Sequence, residues 1–350
     1  MRKSLKILLL FFIISVQLYP QTGGTSTYQF LTLPVSGRIA SLGGKMIAVS
    51  GSDLNLIYSN PSLLNEEMNN ELALNYSGYF ANIRYGYAAY SHSFGKLGNF
   101  AAGIHFIDYG EFIAADQTGI ITGKFQAAEH AFHITWSIPI DSTISVGVSL
   151  KPVLSTFERY RSTGIVADFG VSYISMNRLF AASFSINNLG RQISTYYGGN
   201  HEPLPFEVQL AISNKLEHAP FRLFLTAHSL QHYDLLPPEE NTYSNNGYNN
   251  SGKESSGIEI FSDNLMRHMV MGLEFIPFEN FALRFGYNYQ RRQELKIPAR
   301  ISTVGFSWGF GLKISQFRLN YGRATYHLAG ASNNFSFSTN MGNLYEKVFN

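Results

Sequence analysis

The feature that most constrains this chain is a period-two alternation of apolar and polar residues, held in runs of about ten and repeated along most of its length. In "HITWSIPIDSTISVGVSLKP" (133–152), Phe132, Ile134, Trp136, Ile138 and Ile140 share one parity, with His133, Thr135 and Ser137 on the other. After Asp141-Ser142-Thr143 the pattern resumes, with Ile144, Val146, Val148 and Leu150 set against Ser145, Gly147 and Ser149. Successive side chains of a strand point to opposite faces, so each run is a strand with one oily and one polar face. The question is whether the oily face meets a protein core or lipid.

Similar runs occupy 72–78, 84–94, 99–108, 131–140, 143–154, 164–175, 179–188, 205–216, 221–230, 265–276, 281–290, 301–313, 317–327 and 334–341. Most are about ten residues long, the length a tilted strand needs to cross a bilayer, whereas strands of soluble domains average about five or six. The connections alternate as well. "GKLG", "DS", "MNR", "EHAP", "PFEN" and "SQ" are short, whereas 109–128, 189–204 and 231–263 are long. Short turns at one end and long loops at the other mark an outer-membrane barrel, turns toward the periplasm. An even strand count puts both chain ends on that side. The inward parity is built of Gly, Ser, Thr, Ala, His and Asn with few charges, which suits a filled or plugged lumen better than an ion channel. Tyr79, Phe80, Tyr85, Tyr160, Tyr173, Phe281, Tyr287, Tyr289 and Tyr321 fall near run ends, as interfacial girdles require. The fold class read from these signals is all-β: a transmembrane antiparallel barrel of about fourteen strands with a short N-terminal plug or lead-in.

Composition narrows the function classes. Only 14% of the 350 residues are charged and there is no cysteine, against about 25% charged in soluble domains. A net charge of +2 without a basic face argues against nucleic-acid binding. The absence of Cys excludes a disulfide scaffold, a Cys-zinc site and a lipoprotein anchor. Arg2, Lys3 and Lys6 precede the apolar Ile7–Val16 and then "QLYPQTGG", the layout of a signal peptide over 1–21 that leads to export and the outer membrane. Residues 22–70 follow as a periplasmic or plug segment, and 71–350 as the barrel. In "NPSLLNEEM", Asn60 caps a helix with Pro61 at its first position, and Asn60, Pro61, Leu63 and Leu64 are the candidate plug or gate residues. The insertion 231–263, rich in Pro, Asn, Ser and Gly, reads as a flexible outward loop, with Tyr233, Tyr243 and Tyr248 as candidate partner contacts.

No catalytic grouping emerges. In "YSHSF", His92 points to the opposite face from Ser91 and Ser93, and Arg267-His268 and Tyr326-His327 are no better placed. The ten His residues are scattered without metal-ligand spacing, and the Gly-rich "GFSWGFGL" opens no phosphate-cradling helix. The expectation is a protein that is not an enzyme, with no metal and no cofactor.

Several stretches carry a resemblance. "YQFLTLPVSGRIASLGG" (28–44) followed by "NPSLL" resembles the N-terminal signature of the PorV/PorQ group of outer-membrane proteins, related in fold to the 14-stranded FadL-type fatty-acid channels. "INNLGRQIS", "LPFEVQLAISNKL", "MRHMVMGLEFIPFENFALRFGYNYQRRQELK" and "GFSWGFGLKISQFRLNYGRATYHLAG" are similar to the PorQ branch in particular. The resemblance spans essentially the whole mature chain, leaving 238–257 unmatched. It implies a component of the type IX (Por) protein secretion system that docks a surface partner such as PorZ or a PorU-like protein, besides outer-membrane lipid. The competing expectation is a FadL-like transporter of hydrophobic small molecules, which would need an apolar lumen pocket and an opening in the wall.

Overall fold

A computed structural model describes residues 26–236, 257–296, 303–327 and 330–342. The signal-peptide expectation (1–21) and residues Tyr243 and Tyr248 lie outside them. Among the described residues, the strands are β1 Glu71–Gly78, β2 Arg84–Ser93, β3 Asn99–Ala115, β4 Ile121–Pro139, β5 Ile144–Phe157, β6 Tyr160–Ile174 and β7 Phe180–Ser194. They continue with β8 Glu207–Lys215, β9 Phe221–Ala227, β10 Met269–Phe278, β11 Phe281–Asn288, β12 Phe306–Ile314, β13 Phe317–His327 and β14 Gly330–Asn340. Each pairs antiparallel with its sequence neighbours, and β1 closes on β14 from Glu71↔Asn340 to Gly78↔Asn333. The result is a closed 14-strand barrel with no free edge, the β-structure that satisfies its backbone in hydrocarbon. No helix among the described residues is long and apolar enough to cross a membrane.

Parity sorts the wall as the sequence requires. On β6, Ser162, Gly164, Val166, Asp168, Gly170 and Ser172 are buried, whereas Ile165, Phe169, Val171 and Tyr173 are exposed. The oily face of the 133–152 hairpin is the outer one: Phe132, Ile134 and Leu150 are exposed, and His133, Thr135 and Ser149 are buried. Trp136 donates through Nε1 to the Leu97 carbonyl (2.9 Å) in the turn between β2 and β3, so its ring sits at the short-turn interface. Several expectations need correction. Tyr85 is no girdle residue; it is fully buried in the lumen and donates to Asn334 Oδ1 (2.8 Å).

Segment 109–128 is not a loop. Strands β3 and β4 continue through it, paired from Glu111↔Gln126 to Ala115↔Ile121 after a bulge beyond Asp108. Likewise 189–194 prolongs β7, paired with β6. The ends of two runs are helical: α2 Gly257–Arg267 occupies the start of the 265–276 run and part of the 231–263 insertion, and α3 Tyr289–Leu295 the end of the 281–290 run.

The hydrophobic core lies inside the barrel and is supplied by the N-terminal segment. Val35, Ile39, Leu42, Met46, Leu54, Leu56, Ile57, Leu63, Leu64 and Met68 cluster against the wall residues Ala73, Tyr87, Ala89, Ala101 and Phe224. The segment enters at the long-loop end, where Thr27 N donates to Pro203 O (3.0 Å), and descends to Asn69 and Asn70 at the short-turn end. The described part of the N-terminal segment therefore runs the height of the lumen before β1 begins. Because Ile134 and Leu150 pair near the middle of the β4–β5 ladder with exposed side chains, Leu150→Arg is expected to cost about 2–4 kcal/mol of barrel stability in lipid. Arg at Trp136 should cost less, and urea-unfolding titrations in vesicles would compare the two.

Candidate functional site

The lumen is built by the fit between this plug and the inner wall, and small wall residues make the fit possible. A Cβ on Gly147 would lie 2.4 Å from the Pro61 carbonyl carbon, one on Gly170 2.0 Å from Asn60 Oδ1, and one on Gly322 2.1 Å from Gly37 O. The glycines at inward parity thus mark where plug backbone touches wall. Helix α1 (Gly37–Ser41) is one such contact: Ser36 caps it by accepting from Ile39 N (3.3 Å), and Gly37 N donates to Ser336 Oγ (2.8 Å).

The candidate gate residues sit at a second contact. The expected helix over "PSLLNEEM" is instead two 3-10 turns, Pro61–Leu63 and Glu66–Met68, each capped by the preceding Asn. Asn60 is completely buried and fully bonded. Its Nδ2 donates to Ile47 O (2.8 Å) and Ser172 Oγ (3.0 Å), while Oδ1 accepts from Ser62 N (3.1 Å) and Ser62 Oγ (2.7 Å). Pro61, Leu63 and Leu64 are buried beside it. Tyr233, by contrast, is 84% exposed at the long-loop end, some distance along the chain from the plug contacts, and nothing brings it into the lumen.

Sequence reasoning missed the charges. The inward face carries buried ionic groups that pair with the plug. Lys45 Nζ of the plug meets Glu207 Oε2 on β8 at 2.6 Å, and Arg38 of α1 bridges Asp53 (3.2 Å) and Glu274 on β10 (3.1 Å). Lys151 and Asp168 pair within the wall at 2.5 Å, with Lys151 also donating to Tyr58 O (3.2 Å) and standing over the Tyr58 ring. The available signal was parity itself: Lys151, Asp168, Glu207, Glu274 and Arg284 all stand at inward positions of apolar-alternating strands. An ion at such a position needs a partner, because an unpaired buried charge is costly.

These contacts leave little room. A space of about 30 Å³ remains between Leu31–Pro34, Lys45, Tyr58, Lys151, Asn187, Asn188, Glu207 and Gln209, enough for one or two waters. The long-loop end is sealed by Tyr28, Phe30 and Leu31 packed on Tyr85, Ile107, Val153 and Val166, with Tyr28 OH 2.5 Å from Ser162 Oγ. The wall does carry irregularities. Pro152 interrupts the β4–β5 ladder, and the β6–β7 register shifts between Ala167 and Phe169, where Asn188 takes a positive φ and its N–H donates to Asp168. They flank the Lys151–Asp168 pair, so the lumen behind them is polar.

The weak catalytic hints resolve into structural bonds. Ser91 Oγ donates to Met68 O, and His92 Nδ1 lies 2.8 Å from Asn70 Oδ1. His268 Nδ1 lies 2.8 Å from His228 O. No group of three or more His, Cys, Asp or Glu able to hold a metal occurs among the described residues.

No protein-family profile matches the chain, and no curated protein matches it. Among solved structures, the toluene transporter TbuX of Ralstonia pickettii is similar with a TM-score of 0.52 and 10% identity, over 88% of this chain and 98% of that one. A Pseudomonas aeruginosa FadL homologue is similar with a TM-score of 0.48 and 9% identity, over 87% and 98%. The likeness to TbuX is one of fold, a closed antiparallel β-barrel. Since Asn60 makes four hydrogen bonds in a buried site, Asn60→Leu is expected to cost about 2–4 kcal/mol by stranding Ser62 N and the Ile47 carbonyl and overfilling the gap above Gly170. Limited proteolysis of the plug in the purified barrel, with thermal unfolding alongside, would measure the loss.

Proposed function

We propose that this FadL-fold outer-membrane barrel is a docking component of the type IX protein secretion system, holding a surface partner of the PorZ or PorU-like kind. The residue-level resemblance to the PorV/PorQ group supports this reading, and one structural observation carries it. The β3–β4 hairpin stands clear of the rim. Its neighbours stop pairing at Arg84↔Asp108 and Ala127↔Phe157, yet it continues to Ala115 and Ile121 with no strand on either side among the described residues. Phe112, Ile113, Ile120 and Ile121 on this ribbon are 41–67% exposed. The tip is rigid: Asp116 Oδ1 accepts from Thr118 N (2.9 Å), Thr118 Oγ1 (2.7 Å) and Ile120 N (2.9 Å). These bonds, the Thr118 hydroxyl first, hold its carboxyl below the usual range. An apolar ribbon with unpaired edges is a liability for a protein with no partner and an asset for one that docks. In this reading Asn60, Pro61, Leu63 and Leu64 belong to a fixed plug, and Tyr233, Tyr243 and Tyr248 are further partner contacts.

A second reading, transport of hydrophobic small molecules, draws support from the fold shared with TbuX, named as a toluene transporter. The fold comparison favours it over docking; the filled, polar lumen favours docking over it. In that reading the same four plug residues form a gate that must leave the Gly147–Gly170 contact.

The variant Ile113→Ser/Ile120→Ser/Ile121→Ser separates the two, because it alters the ribbon and leaves lumen and wall intact. Docking requires loss of surface-retained secreted protein, scored by whole-cell immunolabelling, with uptake of long-chain fatty acid or toluene unchanged. Unchanged retention together with measurable uptake that Asn60→Leu alters would establish transport instead.

A further inference from the structure

At the short-turn end, where the plug meets β10–β14, buried ions do not balance. Glu274 on β10 is only 2% exposed in its side chain and is shared by three guanidinium groups. Arg38 lies at 3.1 Å, Arg284 of β11 at 2.7 Å and Arg222 of β9 at 3.5 Å. Asp53, 3.2 Å from Arg38, is the second carboxylate. Arg318 of β13 has its own partner in Glu71 (3.4 Å) and donates to Ser52. Among the described residues, three guanidiniums against two carboxylates leave one positive charge in excess, with the three arginine side chains only 7–12% exposed. An uncompensated charge in such surroundings calls for a counter-ion.

The space for one adjoins the cluster. A cleft of about 150 Å³ opens toward the short turns, lined by Arg38, Arg284, Arg318, Lys313, Asn280 and Asn320, with Asp53 and Glu279 also on its wall. Lys313 and Glu279 offset each other at the mouth. The forks that face it are held in advance. Arg284 is fixed by Glu274 and by Asn320 Oδ1 (2.8 Å), and it lies flat on β12 because residue 311 is glycine: a Cβ there would come within 2.7 Å of Nη2 and 2.8 Å of Nη1. Arg38 is fixed by two carboxylates. The lining is mostly plug, inward wall and the β10–β11 turn, with Phe281 and Leu312 of the outward parity at its edge, and the cleft opens at the short-turn end, so what enters comes from the aqueous phase.

We propose that this cleft is an oxyanion site, taking a carboxylate or phosphate group from the periplasmic side on the guanidiniums of Arg38, Arg284 and Arg318. Fixed guanidinium forks match the planar oxygen pairs of these anions and form strong charge-assisted hydrogen bonds. Because Arg38 belongs to the plug and the others to the wall, a bound anion joins the two and stabilises their association. The site stands independently of whether the barrel docks a partner or transports a ligand.

The test uses the purified full-length barrel in non-ionic detergent. Inorganic phosphate or acetate is titrated against chloride at constant ionic strength, with thermal unfolding and calorimetric titration as readouts. The site requires a saturable rise in Tm of a few degrees with one of the two anions beyond the chloride control, at a stoichiometry of one. Arg318→Gln, at the mouth, and Gly311→Ala, which displaces Arg284, should each weaken binding about tenfold or more, the loss of one charge-assisted contact. Should either variant fail to fold, the wild-type titration still decides. No stabilisation by phosphate or acetate beyond chloride, or equal affinity in both folded variants, overturns the proposal.

Discussion

Hydrocarbon offers no hydrogen bonds, and that single deficit organises the molecule. Every backbone amide in the wall must find a partner in the wall, so the sheet closes, β1 on β14. Closure turns one face of every strand outward to lipid and the other into a lumen too wide to be filled by small side chains. The outer face then has to be apolar, as Phe132, Ile134, Phe169 and Val171 are. The inner face is free to be anything that its contents can satisfy. Here the contents are the chain's own first segment, so the protein's hydrophobic core sits in the lumen and belongs to residues 28–68 rather than to the strands.

The division of labour explains why inward positions are either very small or ionic. Where plug backbone touches wall, a Cβ does not fit, as at Gly147, Gly170 and Gly322. Where plug side chains reach the wall, charge meets charge, as in Lys45–Glu207 and Arg38–Glu274. Such pairs contribute little net stability compared with apolar contacts of the same size, yet they fix which plug residue faces which strand, since a slipped register would strand a charge in low dielectric. The apolar cluster holds the plug in; the ions set its position.

That logic also marks how far the sequence could be read. Strand parity over 131–154 and 164–175 was legible because lipid and plug impose opposite demands on alternate residues. Segment 109–128 was not, because the bulge beyond Asp108 shifts the alternation by one residue and Gly110, Gly119 and Gly123 look like loop punctuation. Outside the bilayer no medium enforces alternation, so the ribbon's apolar residues fall on both faces. Helix α3 follows β11 directly and only His268 separates α2 from β10, so the helical ends look like strand, while 257–263 look like the rest of the polar insertion. The candidate gate was legible as a capped turn from "NPSLL", although its 3-10 form was not, since an Asn cap and Pro serve short and long helices alike. The plug–wall ion pairs link Lys45 to Glu207 and Arg38 to Glu274, more than 160 residues apart, and periodicity gives no information on such partners.

The same contacts bear on whether the lumen can carry an apolar molecule. Displacing the plug without admitting water strands Lys45 and Glu207, at about 3–5 kcal/mol, and parts Arg38 from Glu274, which keep second partners in Asp53 and Arg284 respectively. A ligand can drive that opening only by its differential affinity for the open state. Burying about 200 Å² of apolar surface returns about 5 kcal/mol, an amount the Lys45–Glu207 separation alone can cancel. Water entering with the plug's departure would relieve the stranded charges, but a wet lumen lined by Glu207, Glu274, Arg284 and the Lys151–Asp168 pair is a poor path for an apolar solute. The barrel thus faces a choice that its chemistry has largely made: dry and closed around its plug, or open and polar. An apolar route, if this chain has one, must pass the wall without crossing these pairs, and the irregular stretch beside Pro152 and Asn188 leads straight to one of them.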